Sequence, residues 1–158
     1  MNRSKESQRI IEDQVGYFGI GILNPKIEPN LGVLMRSALC FGASFVFTIG
    51  KKYKRQCTDT CDTQGQIPLF FYPDFDDFVD NGIPRGCQLI GTEITDNSQK
   101  LPKFVHPKRC IYLLGAEDNG IHQKAQEACQ YIVEIPTQMC LNVATAGSVL
   151  MYDRIAKG

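Results

Sequence analysis

Six short apolar runs recur along this chain, and helix-like segments or loops separate them. The runs occupy residues 17–23, 44–49, 67–72, 87–92, 109–114 and 131–135. Predicted helices occupy residues 31–41, 74–79 and 123–129, and a final helix begins near residue 142. Strands that alternate with helices form a mostly parallel sheet, because each crossover returns the chain to the same edge of the sheet. The sequence therefore predicts an α/β fold with helices on both faces of a mostly parallel sheet.

The last two predicted strands each end in a turn that carries polar side chains. Residues 115–120 (GAEDNG) place Glu117 between glycines, and residues 135–142 (IPTQMCLN) lead into the final helix. In an open α/β sheet such turns lie outside the carboxyl ends of the strands, where ligands bind. Small residues within 144–148 give the final helix a slim side, against which another element can pack closely.

The size and the cysteines indicate the class of protein. With 158 residues we expect a single domain, 1–158, with a polar lead-in at 1–16. No apolar run approaches the ~20 residues of a membrane span, and the polar N-terminus lacks the apolar centre of a secretory signal. These features predict a cytoplasmic protein without a membrane partner. We also expect buried free thiols at the cysteines in or beside apolar runs, which are Cys40, Cys87, Cys110, Cys129 and Cys140.

Common cofactor and metal fingerprints are absent from the sequence. The glycines of residues 16–21 are in the wrong order for a dinucleotide-binding loop, and residues 115–120 lack the Lys-Ser/Thr ending of a phosphate-binding loop. The CxxxC pair at 57–61 has no second cysteine pair and no nearby histidine, so no metal site is predicted. His106 and His122 lie beside turns, where we expect exposed or capping roles.

Three segments share a more specific pattern. Residues 30–36 (NLGVLMR), followed by 41–43 (FGA), fit N-x-G-x-x-x-R…FGA. Residues 114–121 (LGAEDNGI) fit LG-x-E-x-x-G, and residues 135–136 (IP) with 141–144 (LNVA) fit IP…SLNV[SA] apart from its serine. In this order, the segments resemble the three motifs of the SpoU/TrmH-type family of SPOUT RNA methyltransferases, in its minimal single-domain form.

The resemblance implies both a fold and an activity. In this family the C-terminal segment threads through a loop to form a trefoil knot, S-adenosylmethionine binds in the knotted region, and the protein is generally a homodimer. The implied enzyme is an RNA (ribose-2′-O-)methyltransferase, with transfer RNA the expected substrate and ribosomal RNA the alternative. A non-catalytic RNA-binding or cofactor-binding module on the same fold is the second interpretation.

The resemblance assigns catalysis to four residues, Arg36, Asn30, Glu117 and Asn142. It places Arg36 at the target nucleotide, where a protonated guanidinium is suited to bind an RNA phosphate and to stabilise the forming alkoxide. It also implies that Glu117 braces Asn30 or Arg36, and that Asn30 and Asn142 shape the reactive site. Simpler roles fit too, since Asn30, Glu117 and Asn142 each lie where a residue could cap a helix.

The resemblance also implies where the cofactor binds. Its adenosine and methionine parts would be wrapped, largely by backbone groups, at Thr92, Gly115, Gly120, Ile135, Pro136, Cys140 and Leu141. Cys140 stands where the family usually has serine. A thiol is bulkier and a weaker hydrogen-bond donor than a hydroxyl, so the exchange leaves two interpretations, altered cofactor or phosphate binding and weakened activity.

A basic cluster follows the second predicted strand, within a long polar loop at residues 50–66. Because the net charge of the chain is zero, RNA contact must depend on such a local patch. Basic residues around an aromatic one fit phosphate contact and base stacking, and a solvated loop fits equally well. Together with Arg36, the predicted RNA-binding residues are Lys51, Lys52, Lys54 and Arg55.

Overall fold

A computed structural model describes residues 15–54 and 63–158 of the chain. The strands in these residues are β1 (Tyr17–Leu23), β2 (Phe45–Ile49), β3 (Leu69–Tyr72), β4 (Gln88–Thr92), β5 (Gln99–Lys100), β6 (Arg109–Leu114) and β7 (Tyr131–Glu134). They form one sheet in the order β3-β2-β1-β6-β4-β7-β5, and all neighbouring strands pair in parallel. The predicted α/β fold with a mostly parallel sheet is confirmed. The sequence did not predict β5, because two polar residues form no apolar run.

The α-helices of the described residues are α1 (Glu28–Cys40), α2 (Phe75–Asn81), α3 (Gln123–Ala128) and α4 (Val143–Lys157). The start of α1 precedes the predicted start at residue 31. Ile27 is its N-cap and Pro29 lies in the first turn, where the missing N–H of proline costs no helical hydrogen bond. Asn30 therefore lies inside the helix, and its predicted role as the N-cap is wrong.

Helices cover both faces of the sheet, as predicted. On one face, Ile20 of β1 belongs to a buried cluster with Leu34 of α1 and Leu150 of α4. On the other face, a second buried cluster includes Phe78 of α2 and Ala125 of α3. Burial on both faces explains why the strand segments are continuously apolar rather than alternating.

The slim side of α4 packs directly against α1. A β-carbon at Gly147 would lie 2.5 Å from Cδ1 of Leu34, so the helices approach more closely than a larger residue would allow. Directly after Gly147, the hydroxyl of Ser148 donates to the hydroxyl of Ser37 in α1 at 2.8 Å. The close packing predicted from the small residues is confirmed, and it brings the first turns of both helices to the same edge of the sheet.

The C-terminal half of α4 is anchored by a buried arginine. The side chain of Arg154 is 3% exposed. It donates to the carbonyl oxygens of Val15 at 2.8 Å, Pro107 at 2.9 Å and Lys108 at 3.1 Å, and to the hydroxyl of Tyr112 at 3.0 Å. These contacts tie the helix to the segments that enter β1 and β6.

His106 belongs to the same cluster, so the expectation of an exposed or capping role for it is wrong. Its side chain is 5% exposed, and its Nε2 lies 2.8 Å from Oδ2 of Asp153. Its Nδ1 contacts the hydroxyl of Tyr112 at 2.5 Å. Burial lowers the pKa of His106, and the neighbouring Asp153 opposes that shift. For His122 the capping role is confirmed, because its Nδ1 accepts from the backbone N–H of Ala125 at 3.1 Å.

The thiols are less buried than expected. Cys110 is buried, Cys87 and Cys129 are partly buried, and all are free. Cys40 and Cys140 are exposed, so the expectation is wrong for these two, because one ends α1 and the other lies in a surface loop. Within residues 15–54 and 63–158, no helix is long and apolar enough to span a membrane.

Candidate functional site

A cavity of about 450 Å3 lies at the carboxyl ends of β4, β6 and β7. Residues 92–94, 114–121 and 134–141 contribute to its lining, together with the start of α4. These segments include the two polar turns noted in the sequence. The parallel sheet brings them together because the carboxyl ends of its strands share one edge.

Most residues predicted to bind the cofactor line this cavity. Those in contact with it are Thr92, Gly115, Gly120, Ile135, Cys140 and Leu141. Pro136 is exposed and is not among the lining residues, although both of its chain neighbours in the loop lie close to the cavity. The geometry fits a binding role for this set, which stays a prediction.

Thr92 carries an unusual polar atom at the cavity. Its hydroxyl oxygen is buried and has no hydrogen-bond partner among the described residues. A buried hydroxyl left without a partner costs about 1–3 kcal/mol, so a polar ligand group in the cavity would remove this cost.

The loop after β6 is folded back tightly on itself. Gly120 has a φ of +57°, and its backbone N–H donates to the carbonyl oxygen of Ala116 at 3.1 Å. A β-carbon at Gly115 would lie 2.2 Å from the carbonyl carbon of Gly120. The two glycines thus allow the ends of the loop to meet, with Glu117 between them.

Three of the predicted catalytic residues form one hydrogen-bonded network. The Nδ2 of Asn30 donates to Oε1 of Glu117, and the Nδ2 of Asn142 donates to Oδ1 of Asn30 at 2.9 Å. The Oδ1 of Asn142 also accepts from the backbone N–H groups of Ala144 at 2.9 Å and Thr145 at 3.3 Å. The network joins α1, the loop after β6 and the start of α4.

The structure also tests whether Asn142 and Glu117 cap helices, the simpler roles considered for them. Asn142 is the N-cap of α4, so its capping role is confirmed alongside its contact with Asn30. Glu117 does not cap the helix that follows its loop, because His122 is the N-cap of α3. Glu117 was expected to brace either Asn30 or Arg36, and the structure shows the contact with Asn30.

Arg36, the fourth predicted catalytic residue, is exposed on α1. Its guanidinium makes no hydrogen bond or ion pair with any residue that the structure describes. It follows Asn30 by less than two helical turns, so the network fixes the start of the helix that carries it. The guanidinium is therefore available to a ligand.

The basic loop begins beside the same edge of the sheet. Lys51 donates through Nζ to the carbonyl oxygen of Lys26 at 3.4 Å, and its Nζ lies 4.9 Å from the ring centroid of Tyr53. Lys26 in turn forms an ion pair with Asp118, and the hydrogen bond from Lys26 lowers the pKa of Asp118. The basic loop is thus linked to the loop that carries Glu117.

The structure describes two of the three remaining residues that were predicted to bind RNA. Lys52 and Lys54 are exposed. Arg55 lies outside the described residues, as does the CxxxC pair at 57–61. Among the residues that are described, no group of three or more histidine, cysteine or acidic side chains is placed to bind a metal ion.

Sequence reasoning missed two acidic residues at the cavity, Glu93 and Glu134. The Oε2 of Glu93 accepts from the backbone N–H of Ile121 at 2.8 Å. Glu134 accepts from the hydroxyl of Ser98 and lies 3.7 Å from Nζ of Lys100. Neither residue belongs to a motif. The feature of the sequence that could have identified them is their position at the end of a predicted strand, where ligands bind in an α/β sheet.

A comparison with protein families matches most of the chain to one family. The model of the SpoU rRNA Methylase family matches residues 18–152. The chain belongs to this family. The resemblance stated from the three sequence motifs is thereby confirmed.

Curated relatives in the SpoU family are distant in sequence. The chain is 28% identical over 136 residues to the tRNA (guanosine(18)-2'-O)-methyltransferase TARBP1 of Mus musculus. The aligned region covers 78% of this chain and 8% of that protein. It is 21% identical over 129 residues to the tRNA (guanosine(18)-2'-O)-methyltransferase of Escherichia coli (strain K12), over 78% of this chain and 56% of that enzyme. The chain thus spans less than two thirds of either relative.

Solved structures of distant sequence share the fold. The AdoMet-bound rRNA methyltransferase from Sinorhizobium meliloti superposes with a TM-score of 0.79 at 20% identity, over 88% of this chain and 56% of that one. The A. aeolicus TrmH/SpoU tRNA modifying enzyme superposes with a TM-score of 0.78 at 17% identity, over 97% and 83%.

Proposed function

We propose that this SpoU-family chain is a methyltransferase that transfers a methyl group from S-adenosylmethionine to a ribose 2′-hydroxyl of RNA. The observation that carries the proposal is the position of Glu117. Its loop lines the cavity, and its carboxylate binds Asn30 on the helix that presents Arg36. A cofactor site and a candidate reactive side are thus joined by one short loop.

The cavity fits the proposed cofactor in polarity and charge. The unpartnered hydroxyl of Thr92 offers one hydrogen bond to a ligand. The acidic residues Glu93, Glu117, Asp118 and Glu134 line the cavity, and among the described residues no lysine or arginine does. Lys26 pairs with Asp118 and Lys100 with Glu134, which leaves the charges of Glu93 and Glu117 without a described cationic partner. Such a lining favours a positively charged ligand, and S-adenosylmethionine supplies a methyl group on a positively charged sulfonium.

The residues around the cavity have distinct roles in the proposal. Methyl transfer is an in-line displacement, in which the O–CH3 bond would form as the S–CH3 bond breaks, with S-adenosylhomocysteine as the leaving group and the hydroxyl proton passing to water. The hydroxyl must therefore be aimed at the methyl group, and positioning supplies a large share of the rate. Arg36 binds a phosphate of the target nucleotide and stabilises the alkoxide as it forms. Asn30, Glu117 and Asn142 fix the helix of Arg36 relative to the cavity.

Transfer RNA is the substrate that we propose, because both curated relatives carry names of tRNA methyltransferases. Ribosomal RNA is the alternative, since the family description and one structural neighbour name it. The basic segment with Lys51, Lys52 and Lys54 would contact phosphates beside the reactive side.

We also propose a C-terminal knot, a homodimer and a cytoplasmic location. The knot is supported by the path from β7, which runs past the cavity to α4, where Gly147 packs close to Leu114 of β6 and Ile20 of β1. Exposed apolar side chains on α1 and α4, at Val33, Val149 and Tyr152, support an interface with a second copy. The free thiols support a reducing compartment.

The substitution Arg36→Ala tests the proposed activity. We expect micromolar binding of S-adenosylmethionine to the unmodified protein and to the variant, measured by calorimetric titration. Transfer of tritiated methyl groups to total tRNA should fall at least ~100-fold in the variant, as for other losses of transition-state charge stabilisation. Arg85→Ala is the matched control, since Arg85 is also exposed but precedes β4 at the opposite edge of the sheet.

Two results would contradict the proposal. Folded protein that does not bind S-adenosylmethionine would exclude the cofactor site, and undiminished transfer by Arg36→Ala would exclude the assigned residue. Protein that binds S-adenosylmethionine and RNA without any transfer would identify the non-catalytic module considered above.

A further inference from the structure

Glu93 lies directly after β4 and contacts the loop that closes the cavity. Its Oε2 accepts from the backbone N–H of Ile121 at 2.8 Å, and its Oε1 accepts from the backbone N–H of Ile94 at 3.0 Å. Its own backbone N–H donates to the carbonyl oxygen of Val133 in β7 at 3.1 Å. The carboxylate therefore extends from a fixed strand end to the last residues of the loop after β6.

Shape and hydrogen bonding both place the carboxylate at the base of this loop. A β-carbon at Gly120 would lie 2.1 Å from Oε2 of Glu93. Gly120 is also the residue with a φ of +57° that meets Gly115 at the closure of the loop. The carboxylate thus occupies the space that the missing side chain of Gly120 leaves open.

The loop carries this contact to the reactive side. Glu117 lies between the two glycines, and it binds Asn30 of α1. A shift of Gly120 and Ile121 would move one side of the cavity and would also move the carboxylate of Glu117. A contact at the base of the loop can therefore affect both the cofactor and the helix that carries Arg36.

From this geometry we propose that Glu93 is a positioning residue, whose carboxylate fixes residues 115–121 for cofactor binding and for the contact between Glu117 and Asn30. The inference rests on the proposed methyltransferase function. It assigns to Glu93 a role that no motif of the sequence indicates, and it does not require Glu93 to touch the cofactor.

The chemistry of a carboxylate distinguishes this role from simple space filling. Both oxygens of Glu93 accept hydrogen bonds from backbone N–H groups. A glutamine in the same place has one acceptor oxygen, and its NH2 group would face an N–H donor. Glu93→Gln should therefore have a partial effect and Glu93→Ala the full effect, although glutamine has nearly the same volume as glutamate.

Hydrogen exchange of the Ile121 amide tests the contact itself. In the unmodified protein the amide should be protected, and in Glu93→Ala its exchange should be at least ~10-fold faster. The control is Asp96→Asn, which removes an exposed carboxylate three residues further along the same segment and should leave the exchange unchanged.

Binding and kinetics test the consequence. In Glu93→Ala the dissociation constant of S-adenosylmethionine should rise about tenfold and kcat should fall as well. Both values for Glu93→Gln should lie between those of the unmodified protein and those of Glu93→Ala. Gly120→Ala displaces the carboxylate and also strains the backbone at its φ of +57°. Its effect on the dissociation constant should be smaller in the Glu93→Ala background than in the unmodified protein, and that difference measures the displacement of the carboxylate. Circular dichroism and thermal melting confirm that each variant is folded.

Unchanged exchange at Ile121 in folded Glu93→Ala would overturn the inference, as would an unchanged dissociation constant together with an unchanged kcat. Failure of the proposed function is a separate result. In that case the unmodified protein would not bind S-adenosylmethionine, and the exchange of Ile121 would still decide whether Glu93 fixes the loop.

Discussion

At the residue scale, the hydroxyl of Thr92 has no partner within the folded chain that is described, so it is suited to bind a ligand. It is buried at the cavity without a partner in the described part of the chain, so it contributes nothing favourable to the folded state. Thr48 is a useful contrast, because its buried hydroxyl donates to the carbonyl oxygen of Lys51 at 2.8 Å. The same side chain thus serves stability at one position and is available to a ligand at the other.

We expect Thr92→Val to weaken S-adenosylmethionine binding without loss of stability. Valine has nearly the same shape and removes the hydrogen bond to the ligand, so the dissociation constant should rise about five- to tenfold. The free energy of unfolding in urea should stay equal or increase. Thr48→Val is the control, and it should lower the free energy of unfolding by about 1 kcal/mol without a change in binding. Lower stability of Thr92→Val would show that the hydroxyl has a structural partner.

Local signals predicted some residues of the site and failed for others. Asn142 and His122 cap helices as their positions indicated, because a cap depends on neighbours two or three residues away. His106 was misjudged because its partner Asp153 lies 47 residues along the chain. Glu93 was missed for the same reason, since the loop it contacts is 28 residues away.

At the scale of elements, the packing of α4 on α1 places the first turn of α4 at the cavity and leaves Asn30 of α1 hydrogen-bonded to the loop that lines it. The contact depends on Gly147, whose missing side chain leaves room for Leu34. Glycine within a helix costs roughly 1 kcal/mol relative to alanine, so its presence here indicates that close packing outweighs helix propensity.

The substitution Gly147→Val should lower the free energy of unfolding by about 1–3 kcal/mol, because overpacking of a closed interface forces the helices apart. Ala156→Val introduces the same side chain at an exposed position of α4 and should cost less than about 1 kcal/mol. Urea unfolding of both variants measures the difference. A loss for Gly147→Val no larger than that for Ala156→Val would show that the contact with α1 has room for a larger side chain.

The contact of His106 with Asp153, near the C-terminal end of α4, leads us to expect that stability depends on pH. Burial holds the pKa of His106 below its ordinary value, against the opposing effect of Asp153. The unfolded chain then binds a proton more readily than the folded one, so stability is complete above about pH 6.5 and is lost as the pH falls below it. Urea unfolding at pH 7.5 and pH 5.5 should show the decrease.

The variant His106→Gln should have a smaller difference between the two pH values than the unmodified protein. An unchanged pH dependence in His106→Gln would assign the effect to other groups.

The strands were easier to predict than their arrangement. Six apolar runs identified six strands, because burial on both faces leaves a continuous signal in the sequence. The placement of β6 between β1 and β4 has no local signal, since it follows from the crossovers. The start of α1 at Glu28 was missed because prolines are common both before a helix and within its first turn.

At the scale of the molecule, the proposed homodimer depends on the exposed face of α1 and α4. We expect Val149→Glu to shift the protein from dimer to monomer, because a carboxylate cannot be buried in an apolar interface without a partner. Val105→Glu is the control, since Val105 is exposed and apolar but lies beside the C-terminal end of α4, near Lys157. Sedimentation equilibrium measures the masses, and an unmodified protein that is monomeric at micromolar concentration would contradict the proposal.

The hydrogen-bonded network at the cavity also determines when the site can form. Asn30 and Glu117 are 87 residues apart in the chain, and Asn30 and Asn142 are 112 residues apart. Ribosomes add ~5–20 residues per second, so α1 waits of the order of ten seconds for its partners to be synthesised. Contacts of such high sequence separation form late in folding, because the intervening loops must close first. Competence to bind the cofactor would therefore report that the chain has been translated and folded as far as Asn142.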